Sequence, residues 1–266
     1  MSAATTSPRV RLKTIAIPPE HGAWGFLLEP LLLGLIVAPS LAGLCLTIAV
    51  IGAFLARHPL KIALVDWRHR KRYTRTRMAE RVVLAYSLPA ALGLSGAVAL
   101  AGVGFLLPSV LAVPLAVLLF AGYTRNRGRD LLPELAGASA LALAASSLTL
   151  AGGETMTTAL VLWGILTARD IPSILYVRAR LRLERNKPLD PAPTVIAHTV
   201  GVLVVLALVW VDLAPVLALV AITMLLLRAL YGLSPYRHPA RPQIIGFQEI
   251  GYGLLTVILT AAEYAL

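Results

Sequence analysis

The sequence predicts an all-α polytopic membrane bundle of nine transmembrane helices, and three observations carry that prediction. Of 266 residues, 58% are apolar and 14% charged, against roughly 25% charged in ordinary soluble chains. The apolar residues gather into runs of about the length a helix needs to cross ~30 Å of hydrocarbon. Every Lys and Arg falls on one side of the membrane once nine spans are drawn with the N-terminus inside, as the positive-inside rule requires.

Residues 1–18 carry Arg9, Arg11 and Lys13 but neither the apolar core nor the small-residue cleavage site of a signal peptide. They read as a cytoplasmic tail, and residues 19–266 as a single transmembrane domain. The predicted spans cover residues 22–37, 41–56, 82–106, 107–123, 131–151, 156–175, 195–210, 213–230 and 244–262. Gly102, Gly104 and Pro108 divide the third from the fourth within one long apolar tract. The cationic clusters are the tail, residues 57–81, Arg125 with Arg127 and Arg129, residues 169–187, and Arg228 with Arg237 and Arg241. They precede the first span or follow the second, fourth, sixth and eighth, which places the C-terminus outside. Glu154, Asp212 and Glu263 fall on the far side, where acids weigh little in orientation.

The net charge of +11 is therefore read as topology and as contact with lipid headgroups. No nucleic-acid partner is expected. The single cysteine, Cys45, excludes an internal disulfide and a Cys-based metal site.

Two basic segments look alike. Ala56-Arg57-His58-Pro59 leads to Lys61, Asp66 and Arg68, and Ala168-Arg169-Asp170-Ile171-Pro172 leads to Tyr176, Arg178 and Arg180. Each begins at the cytoplasmic end of a span, four spans apart, as a parallel internal repeat would give. Arg57, Lys61 and Arg68 form one helical stripe; Arg178, Arg182 and Arg185 form another, with Arg182 and Arg185 expected to reach lipid phosphates. Facing one another across a cavity, such stripes bind phosphate or carboxylate, Arg through its bidentate fork and Lys as a point charge.

Glu29 lies within the first span, where a carboxylate is costly unless it meets protein or water, and Glu249 lies near the start of the ninth. His21 precedes the first span in Glu20-His21-Gly22-Ala23-Trp24. Zinc-ligand spacing, a nucleophile elbow, a phosphate-cradling loop and a dinucleotide fingerprint are all absent from the sequence.

Glu20 to Trp24, Arg57-His58-Pro59-Leu60-Lys61, the segment from Asp170 to Arg180 and Ile245-Gly246-Phe247-Gln248-Glu249 resemble the YwiC-like family of bacterial membrane proteins over nearly the full length. The resemblance implies a multi-pass protein of the bacterial inner membrane and names no reaction. More distantly the chain looks like the UbiA superfamily of intramembrane prenyltransferases, which have nine helices and an active site opening to the cytoplasm. Tyr123-Thr124-Arg125-Asn126-Arg127 is similar to that superfamily's Tyr-x-x-Lys-Arg element, and Arg169-Asp170 to the opening of its second Asp-rich motif. The departures are at the acids. His58-Pro59 stand where the first motif has Asn-Asp, and Ile62 stands at its middle acid; Ile174 and Arg178 replace acids of the second.

That resemblance leaves Asp66 and Asp170 as the metal-binding remnant for magnesium, and those two with His58 as the candidate catalytic groups. Arg57, Lys61, Tyr123, Arg125, Arg127, Arg169, Tyr176 and Arg178, with His21, Glu29 and Glu249, are the candidate substrate contacts. The expectation is a UbiA-like protein binding an isoprenoid or lipid diphosphate at a cytoplasmic cationic cavity, with prenyl or lipid transfer as its chemistry if it is an enzyme. The alternative is a transporter or lipid-binding protein for an anionic solute, with Glu29 and Glu249 as coupling groups.

Overall fold

The computed structural model of the chain describes residues 12–18, 21–125, 127 and 130–264, the side chains at 21–23 excepted. Most of the predicted tail, and the side chain of His21, lie outside that set. The elements run α1 (Leu12–Ala16), α2 (His21–Val37), α3 (Leu41–Arg68), α4 (Thr74–Ala101), α5 (Leu107–Thr124), α6 (Leu131–Ala151), α7 (Met156–Leu183), α8 (Ala192–Trp210), α9 (Val216–Leu233) and α10 (Pro242–Ala262). Among the described residues no strand occurs, and eight helices, α3 to α10, are long and apolar enough to cross a membrane. α2 has 17 residues, and its apolar part is Trp24–Val37. At 1.5 Å per residue that part covers about 21 Å, short of the ~30 Å hydrocarbon core.

The helices outrun the apolar segments at the basic end. α3 continues to Arg68 and α4 begins at Thr74, because Lys and Arg are good helix formers and nothing in residues 57–68 interrupts the backbone hydrogen bonds except Pro59. The chain stops being helical where Arg70 takes a left-handed φ of 54°. A second such stop is Asn186, at φ 53°, after α7. Between α4 and α5 the Gly102 punctuation acts as expected: its φ of 70° ends α4, and a 3-10 turn at Gly104–Leu106 starts the next helix.

α6 and α7 form the centre. The inward side of α6 is built of Ala136, Gly137, Ala138, Ser139, Ala142, Ala145 and Ser146, small residues that let neighbouring backbones approach where lipid supplies no hydrophobic drive between helices. Ser146 Oγ donates to the Ala159 carbonyl of α7 at 2.6 Å, and Trp163 Nε1 donates to the Ser139 carbonyl at 3.2 Å. α2 packs on α6 and α10, α5 on α6, and α8, α9 and α10 on α7. α4 pairs with α3 so closely that a β-carbon at Gly93 would lie 2.5 Å from the Cys45 carbonyl oxygen. On the outside Leu84, Leu88 and Leu92 of α4 and Val110, Val113 and Val117 of α5 are exposed, the apolar periphery a lipid-embedded bundle requires.

Contacts between helix ends bring the basic segments to one end of the bundle. Arg68 donates to the Thr124 carbonyl at 2.9 Å, Arg178 pairs with Glu134 at 2.7 Å, and Arg180 donates to the carbonyls of Gly232 and His238. At the opposite end the Glu263 carboxylate accepts from Val216 N at 2.9 Å and Leu217 N at 2.8 Å, capping the start of α9.

Candidate functional site

A cavity of about 540 Å³ opens between α2, α3, α5, α6, α7 and α10 toward the basic end. Its walls are largely apolar, from Phe26, Leu119, Leu141, Ile174, Val177, Leu181 and Ile250. Arg57, Arg178 and Arg185 stand around it near the basic helix ends, and Glu29, Glu134, Arg169 and Glu249 also line it.

Arg57 stacks its guanidinium 4.8 Å from the Phe54 ring and 5.9 Å from the Tyr123 ring, and Lys61 Nζ lies 4.6 Å from the same Tyr123 ring. Tyr123 is buried and lines the cavity, so its face carries two cations from successive turns of α3. Arg178 shares its charge with Glu134, both about 41% exposed. Arg185 is exposed at the cavity mouth, where a fully outward course was expected, and Arg182 donates to the Pro188 carbonyl at 3.0 Å. Arg125 and Arg127 are exposed beyond α5, and neither lines the cavity.

Deeper lies a buried charge network. Arg169, 2% exposed, stands 2.9 Å from Glu29 Oε1 and donates through Nη1 to Asp170 Oδ1 at 3.1 Å. Its Nη2 also donates to the Glu249 carbonyl oxygen at 2.9 Å. Glu29 is held by charge without an aligned hydrogen bond, and both its oxygens lack a hydrogen-bond partner. Glu249 pairs with Arg228 of α9. The Arg228 guanidinium sits 4.0 Å from the Tyr176 ring centre and 5.1 Å from that of Tyr252, and its Nη2 is 3.3 Å from His198 Nε2. Tyr176 therefore serves this network from within the helix packing, 6% exposed, and does not line the cavity.

The structure does not bring Asp66 and Asp170 to one place. Asp66, 2% exposed, accepts from Arg75 Nη2 at 2.6 Å, Arg75 Nε at 3.1 Å and Thr76 Oγ1 at 2.6 Å. Those bonds tie the end of α3 to the start of α4. Asp170 faces Arg169 inside the bundle. Magnesium wants carboxylates free to turn toward it and toward phosphate oxygens, and each of these is committed to a guanidinium in a different pair. Among the described residues no three His, Cys, Asp or Glu side chains gather as a metal-binding group, so the donor set does not fit a magnesium site. His58 is also engaged away from the cavity: its Nε2 lies 3.1 Å from the Thr14 carbonyl of α1.

Arg228, His198 and Glu134 are the site-forming residues that the sequence reading did not select. Arg228 falls in one cationic cluster with Arg237 and Arg241, although its place inside Met224-Leu225-Leu226-Leu227-Arg228-Ala229-Leu230 marks a cation within a span.

The model of the YwiC-like protein family matches residues 17–149, half of the chain. The match takes in Glu29, Arg57, Asp66, Tyr123 and Glu134 and stops before α7. No curated protein matches the chain, and no solved structure does.

Proposed function

The chain belongs to the YwiC-like family, and for this member we propose a role in binding an isoprenoid or other lipid with a phosphate or diphosphate head, in the cavity between α2, α3, α5, α6, α7 and α10. In this reading the protein lies in a bacterial inner membrane with its N-terminus cytoplasmic and C-terminus outside, and the cavity opens to the cytoplasm. The observation that carries it is one cavity, of a size usual for small-molecule ligands, that joins an apolar wall to guanidinium groups at its basic end. The tail would lie along Leu119, Leu141, Ile174, Val177 and Ile250, and the head would meet Arg57, Arg178 and Arg185, with Lys61 adding charge behind Tyr123.

The likeness to UbiA prenyltransferases belongs to the same proposal. Since Asp66 and Asp170 are each held by an arginine, charge compensation for the phosphates rests on guanidinium groups. If the ligand also reacts, stabilising a departing diphosphate is the step these cations supply.

The deciding experiment is a titration of the purified protein with geranyl diphosphate, with and without EDTA, on the wild type and on Arg57→Ala with Arg178→Ala. Charge-assisted contacts are worth about 1.5–3 kcal/mol each, so the double variant should lose about 100-fold or more in affinity, and EDTA should have little effect. Abolition by EDTA, or binding unchanged in the double variant, would refute the proposal.

A second reading, transport of a soluble anion, is favoured by the cavity-lining carboxylates Glu29 and Glu249, each with an oxygen lacking a partner. Inorganic pyrophosphate binding as tightly as geranyl diphosphate would select it, because the apolar wall would then contribute nothing.

A further inference from the structure

The network around Arg169 has an unequal count of charges. Among the described residues its acids are Glu29, Asp170 and Glu249 and its permanent cations Arg169 and Arg228, so fully ionised this set holds one more negative charge than positive. Glu29, Asp170, Arg169 and His198 are each 2% exposed and Arg228 is 9% exposed. An uncompensated charge at that depth is expensive and is removed by protonation where a proton can arrive.

His198 cannot supply the missing positive charge. Its Nδ1 lies 2.8 Å from the Thr194 carbonyl, which only accepts, and its Nε2 lies 3.3 Å from Arg228 Nη2, which only donates. Those two neighbours fix the neutral tautomer with hydrogen on Nδ1. Arg228 is matched by Glu249, so the excess falls on Glu29 and Asp170, which share Arg169. Asp170 accepts the Nη1 hydrogen and does not line the cavity. Glu29 accepts no hydrogen bond, lines the cavity, and has Oε2 buried without a partner.

We propose that Glu29 holds an exchangeable proton on its carboxylate at the cavity wall. The proton comes from water in the cavity and returns to it, and Glu29 alternates between a neutral acid and a carboxylate facing Arg169. Among the described residues, the other charged groups facing this position or lining its cavity are Asp170 from α7, Glu249 from α10, Arg57 from α3, Arg185 just beyond α7, and the Arg178–Glu134 pair between α7 and α6. Arg57 and the Arg178–Glu134 pair are partly open to solvent, which screens them. A negative ligand head in the same cavity favours the protonated form, so anion and proton bind with positive linkage. That linkage rests on the ligand proposed above; the proton site itself does not.

Infrared difference spectroscopy of the full-length protein, without ligand and from mildly alkaline to mildly acidic solution, tests the site. A protonated-carboxyl band should grow on acidification, shift in heavy water, vanish in Glu29→Gln, persist in Glu154→Gln at the far end of the bundle, and form only at lower pH in Glu249→Gln, which takes one acid out of the count. No band at any pH, or a band that survives Glu29→Gln, would overturn the proposal, as would a band suppressed by sodium at constant pH, which would mark a metal-cation site. Should Glu29→Gln fail to fold, Glu29→Asp must move the band, and an unmoved band is equally fatal. In a second arm, geranyl diphosphate is added in weak buffer with a pH-indicator dye. On the alkaline side of the Glu29 band's own transition, where the carboxylate is ionised before the ligand arrives, uptake of up to one proton per bound anion supports the linkage, and binding without uptake there overturns it. Absence of binding refutes the proposed ligand, and the spectroscopic arm still decides the proton site.

Discussion

Gly253 of α10 leaves the space that the Glu29 carboxylate of α2 occupies: a β-carbon at 253 would stand 1.9 Å from Glu29 Oε1 and 2.7 Å from Arg169 Nη2. The buried ion pair and a missing side chain on the neighbouring α10 are thus one feature. α10 can pack on α2 at this level only because position 253 has no side chain.

Gly253→Ala should therefore destabilise the protein by about 1–3 kcal/mol, the usual cost of overpacking, seen as a lower thermal midpoint in detergent. Gly251→Ala is the control on the same helix, since a β-carbon there meets nothing within 4 Å. It should be neutral or slightly stabilising, as alanine is the better helix former by roughly 1 kcal/mol. Equal effects at the two positions would show that Glu29 does not need the gap.

Arg169→Gln should be far more damaging than its removal from a surface would be. It leaves Glu29 and Asp170 buried against each other without a cation, and breaking a buried pair costs about 3–5 kcal/mol. Adding Glu29→Gln should recover a substantial part of the loss in a double-mutant cycle of thermal midpoints. Additive losses would mean that the two side chains do not interact.

The bundle was readable from the sequence, and the rotational setting of its helices was not. Run length and the placement of Lys and Arg gave the apolar elements because the hydrocarbon core and the leaflet charge act on composition alone. They say little about which face of a helix points inward. α7 carries Arg169, Asp170, Tyr176 and Arg180 into buried positions, Arg169 at the cavity's inner wall, while Arg178 lines the cavity half-exposed. Its apolar residues surround it, because lipid and helix packing both accept them, so periodicity leaves the phase open. Arg57 and Arg169 look equivalent in the two similar segments, yet one stacks on Tyr123 at the cavity wall and the other is enclosed by Glu29, Asp170 and Glu249. Arg228 was lost among neighbouring charges for the same reason. In sequence Asp66 points toward phosphate chemistry, because its partners, Arg75 and Thr76, lie across a turn that the apolar pattern does not display.

Asp66→Asn tests that reassignment. Asn keeps the shape but weakens the two bonds from Arg75, leaving part of a buried hydrogen-bond set unmade at a cost of about 1–3 kcal/mol. Hydrogen exchange should rise in residues 69–76, and geranyl diphosphate affinity should stay within about twofold of wild type, a change of about 0.4 kcal/mol. A large loss of affinity with unchanged exchange would return Asp66 to the binding site.

The orientation proposed here makes a prediction that separates the two ends of the bundle. The end that joins Arg68 to Thr124, Arg178 to Glu134 and Arg180 to His238 gathers the basic loops, and the end where Glu263 caps α9 carries acids instead. Positive-inside bias would place the first in the cytoplasm, and the proposed cavity opens at that end. Tyr236, 84% exposed in the loop between α9 and α10, marks the basic end, and exposed Glu154 between α6 and α7 marks the other. In a Cys45→Ala background, which removes the native thiol between α3 and α4, a membrane-impermeant maleimide added to intact cells should label Glu154→Cys. It should reach Tyr236→Cys only after permeabilisation. The reverse pattern would turn the bundle over, set Arg57 and Arg178 on the outer face, and remove the cytoplasmic lipid diphosphates from the ligands the cavity can meet.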